Sequence, residues 1–419
     1  NNLKIITERG EDYGKIDSGQ NKRVQVEFVS ANPTGPLHVG HSRGAVVGDV
    51  TASIMEAAGF DVEREYYIND AGNQMDILGE STLLRYREIL GEEINMPEDV
   101  YAGDYVKEIA QDLYDEHGKE LMAKNEEERL AICREYAYQE MLKNIEHDLE
   151  EFGIEFDSWF SERTLHPDKI QHAIDLLRDK GFIYEKEDAL WFKSTEFGDD
   201  KDRVIIKSDG APTYMAADMA YHLDKLERGF DKLINVWGAD HHGYIPRMKA
   251  VIEAFGYAED TLEVIVVQMV TLLRNGKKMP MSKRAGSFVT MSEVNQEVGK
   301  DAARYYYIMR STDSHLDFDL ELAKEESSSN PVYYVQYAHA RIHSILENAE
   351  LKADAENLDM LNDPAEIDLM KMLAQYPEEI KLSAESRQPH HLTTYAYDLA
   401  TAFHALYNNC GVNTENEDI

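Results

Sequence analysis

Cationic side chains are scarce in this chain. Its 419 residues carry 43 Lys and Arg against 80 Asp and Glu, a formal net charge of −37. Taken alone, that balance argues against a nucleic-acid binder, whose affinity comes largely from neutralising phosphates. A local basic groove inside a globally acidic molecule stays open. Cysteine is almost missing as well. Cys133 and Cys410 show no metal-type spacing, which points to reduced cytosolic thiols. No stretch approaches the roughly 18 to 20 apolar residues needed to span a bilayer, and no secretory leader opens the chain, so no membrane partner is expected. There is no internal repeat and no low-complexity tract. The first residue is Asn1 rather than methionine, so a fragment with missing ends is expected.

What remains is ordinary globular material, 43% hydrophobic and 29% charged. It is long enough for two or three domains with sizeable cores. Acid-rich stretches such as residues 125–129 read as solvated helix faces. The strong overall acidity has no account in the sequence.

Residues 22–75 read as strand, turn, helix, strand. Val24 to Ser30 form the first strand. The helix presents Val46, Val47, Val50, Ile54, Ala57 and Ala58 at helical spacing and stops at Gly59. This pattern implies a Rossmann-like α/β fold with a parallel sheet. From residue 76 to about 160 the chain becomes charged and mostly helical, an insertion. Residues 161–270 return to alternating strand and helix and complete the sheet, with 190–192 and 204–206 as strands of an antiparallel element and 262–270 as the last strand. Residues 271–325 form a connecting region. After the turn-rich residues 327–331, segments 332–350, 367–373, 380–383 and 393–409 read as helices of a separate bundle, 326–419, that ends early.

Two motifs carry the chemistry. His38, Gly40 and His41 stand where the first strand turns into a helix. A helix N-terminus offers unpaired N–H groups and the positive end of a dipole. Gly40 lets a flat ring or the backbone come close, and two imidazoles three residues apart can both face a triphosphate. The bland alternative is two surface histidines beside a turn. The second motif, Met281-Ser282-Lys283-Arg284, is a basic loop in an acidic chain, following the last strand of the sheet. An ammonium there would stabilise β- and γ-phosphate charge during in-line displacement. Its alternative is a solvated loop.

At this point the chain resembles the class I aminoacyl-tRNA synthetases. The phrases VEFVSANPTGPLH (26–38), YYINDAGNQ (66–74), WGADHHGY (237–244) and NPVYYVQYAHAR (330–341) look like arginyl-tRNA synthetase in particular. The resemblance runs from about residue 22 to the end. It implies activation of L-arginine by ATP, with Mg2+ as the ATP counter-ion and no dedicated metal site, and transfer to tRNA(Arg). It also implies tRNA-dependent adenylate formation, a cytoplasmic location and a monomer.

By the same resemblance, His38, His41 and Lys283 are catalytic. Gly40, Asp240, His241, Ser282 and Arg284 hold ATP. Pro280 takes the place of the second motif's first lysine, and Gly35 stands where some relatives carry a substitute. A guanidinium demands carboxylates and acceptors in a fork. Tyr214 and Asp218, four apart on one helical face, look like its contacts. Ser30 and Asn32 look like contacts to the amino acid's own amino and carboxyl groups, with Glu27 and Glu162 as further acids. Asn69, Asp70 and Gln74 serve either the site or the turn. In the bundle, Tyr337 and Arg341 are the tRNA-binding candidates, although a tyrosine stripe at this spacing is more often core. Two rival readings are another adenylate-forming enzyme with the H-x-G-H motif and a non-catalytic tRNA-binding relative.

Overall fold

The computed structural model describes residues 2–279, 288–348 and 358–410. In chain order, α1 (Asn2–Arg9) precedes β1 (Arg23–Glu27), α2 (Val39–Ala57) and β2 (Asp61–Ile68). Three helices follow, α3 (Asn73–Ile89), α4 (Asp104–His117) and α5 (Glu126–Glu151), before the chain returns through β3 (Ser158–Ser161) and α6 (Asp168–Asp179). A small antiparallel sheet comes next: β4 (Ile183–Lys186), β5 (Ala189–Phe192) and β6 (Arg203–Ile206). Then come α7 (Tyr214–Glu227), β7 (Lys232–Gly238), α8 (Ile245–Phe255) and β8 (Leu262–Val267). A second small sheet joins β9 (Val270–Arg274), β10 (Lys277–Lys278) and β11 (Leu316–Asp319), accompanied by α9 (Met291–Val298), α10 (Lys300–Ile308) and α11 (Leu320–Lys324). The bundle consists of α12 (Pro331–Asn348), α13 (Pro364–Ser386) and α14 (His390–Asn409).

The central sheet is parallel throughout, in the order β3-β2-β1-β7-β8. Val24, Gln25 and Val26 of β1 are all fully buried, as expected for a parallel strand covered on both faces. Gln25 tolerates that position because its amide donates to Glu65 on β2 (2.7 Å). The chain grows from β1 toward β3 on one side and from β7 to β8 on the other, so the order reverses between β1 and β7. Sheets of this kind bind ligands in the crevice at that point, beyond the C-terminal strand ends.

Helix α2 crosses the sheet there. Its Gly48 lies against Phe28, where an added Cβ would fall 2.2 Å from the ring. Further along, Ile54 and Ala58 pack against Ile380 and Ala384 of α13, so the bundle rests on the same helix.

Two expectations need correction. Segment 262–270 is two strands in different sheets, β8 and β9, which part at Gln268, whose N–H bonds Thr312 instead of a strand partner (2.9 Å). Segments 367–373 and 380–383 are one helix, α13, which continues through Pro377. A proline inside a helix removes one backbone bond, and apolar packing on α2 and α14 carries the helix past it.

Candidate active site

After β1 the backbone enters the left-handed region at Val29 (φ 67°) and Ser30 (φ 42°). A β-branched residue is rarely found there, and such strain collects at functional turns. Ser30 fixes the turn: its hydroxyl donates to Glu27 (3.0 Å) and accepts from the Tyr67 N–H (3.2 Å).

The turn delivers His38 to the N-cap of α2. His38 Nδ1 accepts from the Gly40 N–H (3.1 Å), and His41 Nδ1 accepts from the His38 N–H (3.3 Å). The two rings stack with centroids 3.8 Å apart. Because each Nδ1 is an acceptor, the tautomer this arrangement selects carries the ring proton on Nε2. A Cβ on Gly40 would lie 2.8 Å from the His38 ring, so the glycine permits this packing. The segment following the second motif is laced to the same turn: Val39 N–H donates to Val289 O (3.1 Å) and Met291 N–H to Leu37 O (2.9 Å). Ser282, Lys283 and Arg284 themselves lie outside the described residues.

Beside this turn three acids converge from separate strands and a helix. Glu27 ends β1, Glu162 follows β3, and Asp218 sits one turn into α7. All three act on the Tyr67 phenol, whose pKa rises through burial and then through the nearby charges of Glu162, Asp218 and Glu27. Glu27 is already matched: the Lys225 ammonium, 0% exposed, donates to it (2.6 Å) and to Asn235 (3.1 Å). Asp218 accepts a hydrogen bond from the Tyr244 hydroxyl. Burial, with added repulsion from Glu27 and Glu162, pushes its pKa up to about 7. Burial also raises Glu162, which is bonded by Tyr67 and lies 3.5 Å from His166. Oriented to satisfy its neighbours, the Asn69 amide donates to Glu162 (3.0 Å).

Behind Asp218, His222 Nδ1–H donates to the Asp218 carbonyl (2.8 Å) while its Nε2 accepts from Asn235 (3.0 Å). Burial and the Lys225 charge lower its pKa to about 3, so it stays neutral. The pocket therefore holds more carboxylate than cation.

The other expected residues distribute as follows. Asn32 donates to Gln74 (2.7 Å) at the rim. Tyr214 opens α7 and is 70% exposed, four residues from Asp218. Asp240 and His241 lie on the exposed turn after β7, 3.6 Å apart, and Gly238 makes room for the Asp240 carboxylate. Asp70 is structural: Ser161 Oγ (2.6 Å) and the Arg163 N–H (3.1 Å) donate to it, fastening the end of β2 to the end of β3. In the bundle the Arg341 guanidinium lies over the rings of Tyr337 (4.7 Å) and Tyr407 (4.3 Å). Among the described residues no group of three or more His, Cys, Asp or Glu could hold a metal ion, and no helix is long and apolar enough to cross a membrane. Sequence reasoning passed over Tyr67, Tyr244, Lys225 and His222. Lys225 did leave a signal, since it shares a helical face with Asp218, Tyr221 and His222.

Comparison with known proteins agrees with this geometry. The family model for class I tRNA synthetases (R), catalytic domain, matches residues 3–342, and that for the DALR anticodon binding domain matches residues 335–419. Sheet, histidine turn and bundle together define a class I aminoacyl-tRNA synthetase. The arginine–tRNA ligase of Citrifermentans bemidjiense is 52% identical over 421 residues, covering 99% of this chain and 76% of the relative. That of Bacillus subtilis is 54% identical over 422 residues, with the same coverage. A Campylobacter jejuni structure described as an arginyl-tRNA synthetase superposes with a TM-score of 0.91 at 41% identity, covering 100% of this chain and 92% of that one. The Thermus thermophilus arginyl-tRNA synthetase shares the fold, with a TM-score of 0.77 at 23% identity over 98% of this chain and 78% of that one. The chain belongs to the arginine–tRNA ligase family.

Replacing Lys225 with methionine leaves Glu27 buried without its cation. Breaking such a pair is expected to lower stability by about 3 to 5 kcal/mol, measured by urea denaturation. Glu27→Gln in the same chain should recover part of the loss. A Lys225→Met protein as stable as the wild type would contradict this account of the pocket.

Proposed function

We propose that the crevice at the C-terminal edge of the sheet activates L-arginine and then charges tRNA(Arg). In the first step the arginine carboxylate attacks the α-phosphorus of ATP, forming arginyl-adenylate and expelling pyrophosphate. In the second, a hydroxyl of the tRNA 3′-terminal ribose attacks the adenylate carbonyl and AMP leaves. The observation that carries this reading is the under-neutralised carboxylate pocket next to a histidine turn built to meet phosphates.

Asp218 takes the guanidinium, with Glu162 as the second acid and Tyr67 and Tyr244 orienting them. A planar cation with five donors fits several acceptors arranged around one ring. Glu27, held by Lys225, acts through Ser30 instead, keeping the turn in shape. Ser30 and Asn32, at the rim, face the amino acid's α-amino and carboxyl groups, and Tyr214 covers the mouth. His38 and His41 donate from Nε2 to phosphate oxygens as charge moves toward pyrophosphate, which is stabilisation aimed at the transition state. Gly40, Asp240 and His241 border the nucleotide. By resemblance, Lys283 acts on the pyrophosphate, and Ser282 and Arg284 on ATP. ATP enters with Mg2+ as its counter-ion.

The bundle receives the tRNA, with Tyr337 and Arg341 as contacts. Cation–aromatic stacks of this kind suit unpaired bases, and they offer local positive charge despite the chain's acidity. The reading implies a monomer in the cytoplasm, with residues 1–75 and 161–270 expected as the catalytic domain around an insertion 76–160, although the end of that insertion, from Ser158, already belongs to β3 of the central sheet, followed by a connecting region 271–325 and the bundle 326–419.

ATP–pyrophosphate exchange with tRNA present tests the activity. Exchange with arginine is expected; exchange with cysteine or glutamate but not arginine would displace the reading. Asp218→Ala should weaken arginine binding by roughly 3 to 5 kcal/mol, because it removes a buried guanidinium partner, and leave ATP binding nearly intact. Equal loss of both ligands contradicts the assignment. Lys283→Ala should slow adenylate formation with little change in arginine affinity, since it acts on developing charge. An unchanged single-turnover rate removes it from the mechanism.

A further inference from the structure

Two residues beyond His41, helix α2 carries a charged side chain that the chemistry above does not use. Arg43 is 1% exposed. Main-chain carbonyls, rather than a carboxylate, receive its guanidinium. NH1 donates to Gln268 O (2.9 Å) and Ser314 O (2.8 Å), NH2 to Ser311 O (2.9 Å) and Nε to Tyr307 O (3.3 Å). Burial lowers its pKa to about 10, which still leaves it charged at neutral pH. A buried cation is costly, and the nearby Asp313 carboxylate offsets only part of that burial. What it supplies here is a rigid fork of donors that locks three chain segments onto the first turns of α2.

Those segments are the β8–β9 link, the end of α10 and the turn 311–314. The turn is closed by Ser314 N–H donating to Ser311 O (3.0 Å) and joined to the link by Gln268 N–H donating to Thr312 O (2.9 Å). Its outer side is held by the bundle. Gln388, between α13 and α14, accepts from Ser311 Oγ (3.1 Å) and the Thr312 N–H (3.3 Å). The neighbouring Arg387 pairs with Glu263 of β8 (3.3 Å). The bundle therefore touches the catalytic helix in two ways: directly at Ile54 and Ala58, and through the turn that seats Arg43. Helix α2, 19 residues and about 28 Å long at 1.5 Å per residue, is a stiff connection between these points.

We infer that Arg43 is a positioning residue that sets the placement of His38 and His41, and that the turn 311–314 and Gln388 make this placement depend on how the bundle is seated. The inference rests on the function proposed above for what the two histidines do. Its content is that a residue touching no substrate, and another in the bundle, control the rate of adenylate formation without controlling arginine affinity.

The test uses the full chain and measures two quantities. One is the single-turnover rate of arginyl-adenylate formation with arginine, ATP and tRNA; the other is the arginine Kd by calorimetry. Arg43→Lys keeps the charge but cannot reach all four carbonyls, and should slow the rate about tenfold or more while the Kd stays within about twofold. Gln388→Leu should slow the rate about threefold or more with the same unchanged Kd. The double variant should fall no further than about twofold below Arg43→Lys, because both substitutions interrupt one connection. Losses that multiply, or a Kd that weakens in step with the rate, overturn the inference. If Arg43→Lys does not fold, Gln388→Leu alone decides, and a wild-type rate counts against the inference. A wild-type protein that forms no arginine-dependent adenylate defeats the functional reading instead, whereas an active wild type with unaffected variants defeats only this inference.

Discussion

Carboxylates withheld from water with too little positive charge beside them create a demand for a cation, and the arrangement of this site follows from that demand. Glu27, Glu162 and Asp218 reach one Tyr67 ring from β1, the segment after β3, and α7. Lys225 satisfies Glu27 and leaves the other two to be matched. The cost of holding them unpaired is met by the packed sheet and by hydrogen bonds from Tyr67, Tyr244 and Asn69. In the proposed reading a guanidinium relieves the repulsion among these carboxylates, which favours a permanent, planar cation.

The parallel sheet makes that convergence possible. Its strands all end on one edge, so each successive connection can deliver a different group to the same crevice. The histidine turn, Asn69, Glu162 and the Asp240 turn follow β1, β2, β3 and β7 in this way. Helix α2 then links the crevice to the bundle, with histidines at one end and apolar contacts to α13 toward the other. The net charge of −37 does not conflict with binding a polyanion. The acid is spread over solvated faces, while cations such as Arg341 are held at specific places against aromatic rings.

Much of this was legible in the residues alone. The strand–turn–helix around His38 and His41 was readable because apolar periodicity and turn chemistry coincide there, whereas the spacing of Tyr214 and Asp218 showed only a shared helical face and their role came from the resemblance. Less legible were groups whose meaning depends on a distant partner. Lys225 and Glu27 are 198 residues apart, and nothing near either announces the other. Glu27 was a ligand candidate through the resemblance alone, and that its two oxygens are engaged by Lys225 and Ser30 could not be seen from the sequence. Arg43 was hidden for a related reason: its partners are backbone carbonyls, which no side-chain pattern encodes. Pro377 divided α13 in the sequence pattern because a local rule was read without the packing that overrides it.

The most direct measurement of the central claim is the proton linkage of arginine binding, followed by calorimetry from about pH 6 to pH 8 in buffers of different ionisation enthalpy. In the proposed reading Asp218, raised to about 7, gives up its proton to accept a guanidinium. Binding below that pH should therefore release close to one proton, and the arginine Kd should be about tenfold weaker at pH 6 than at pH 8. An arginine affinity that stays flat across this range, with no proton released, would contradict the account.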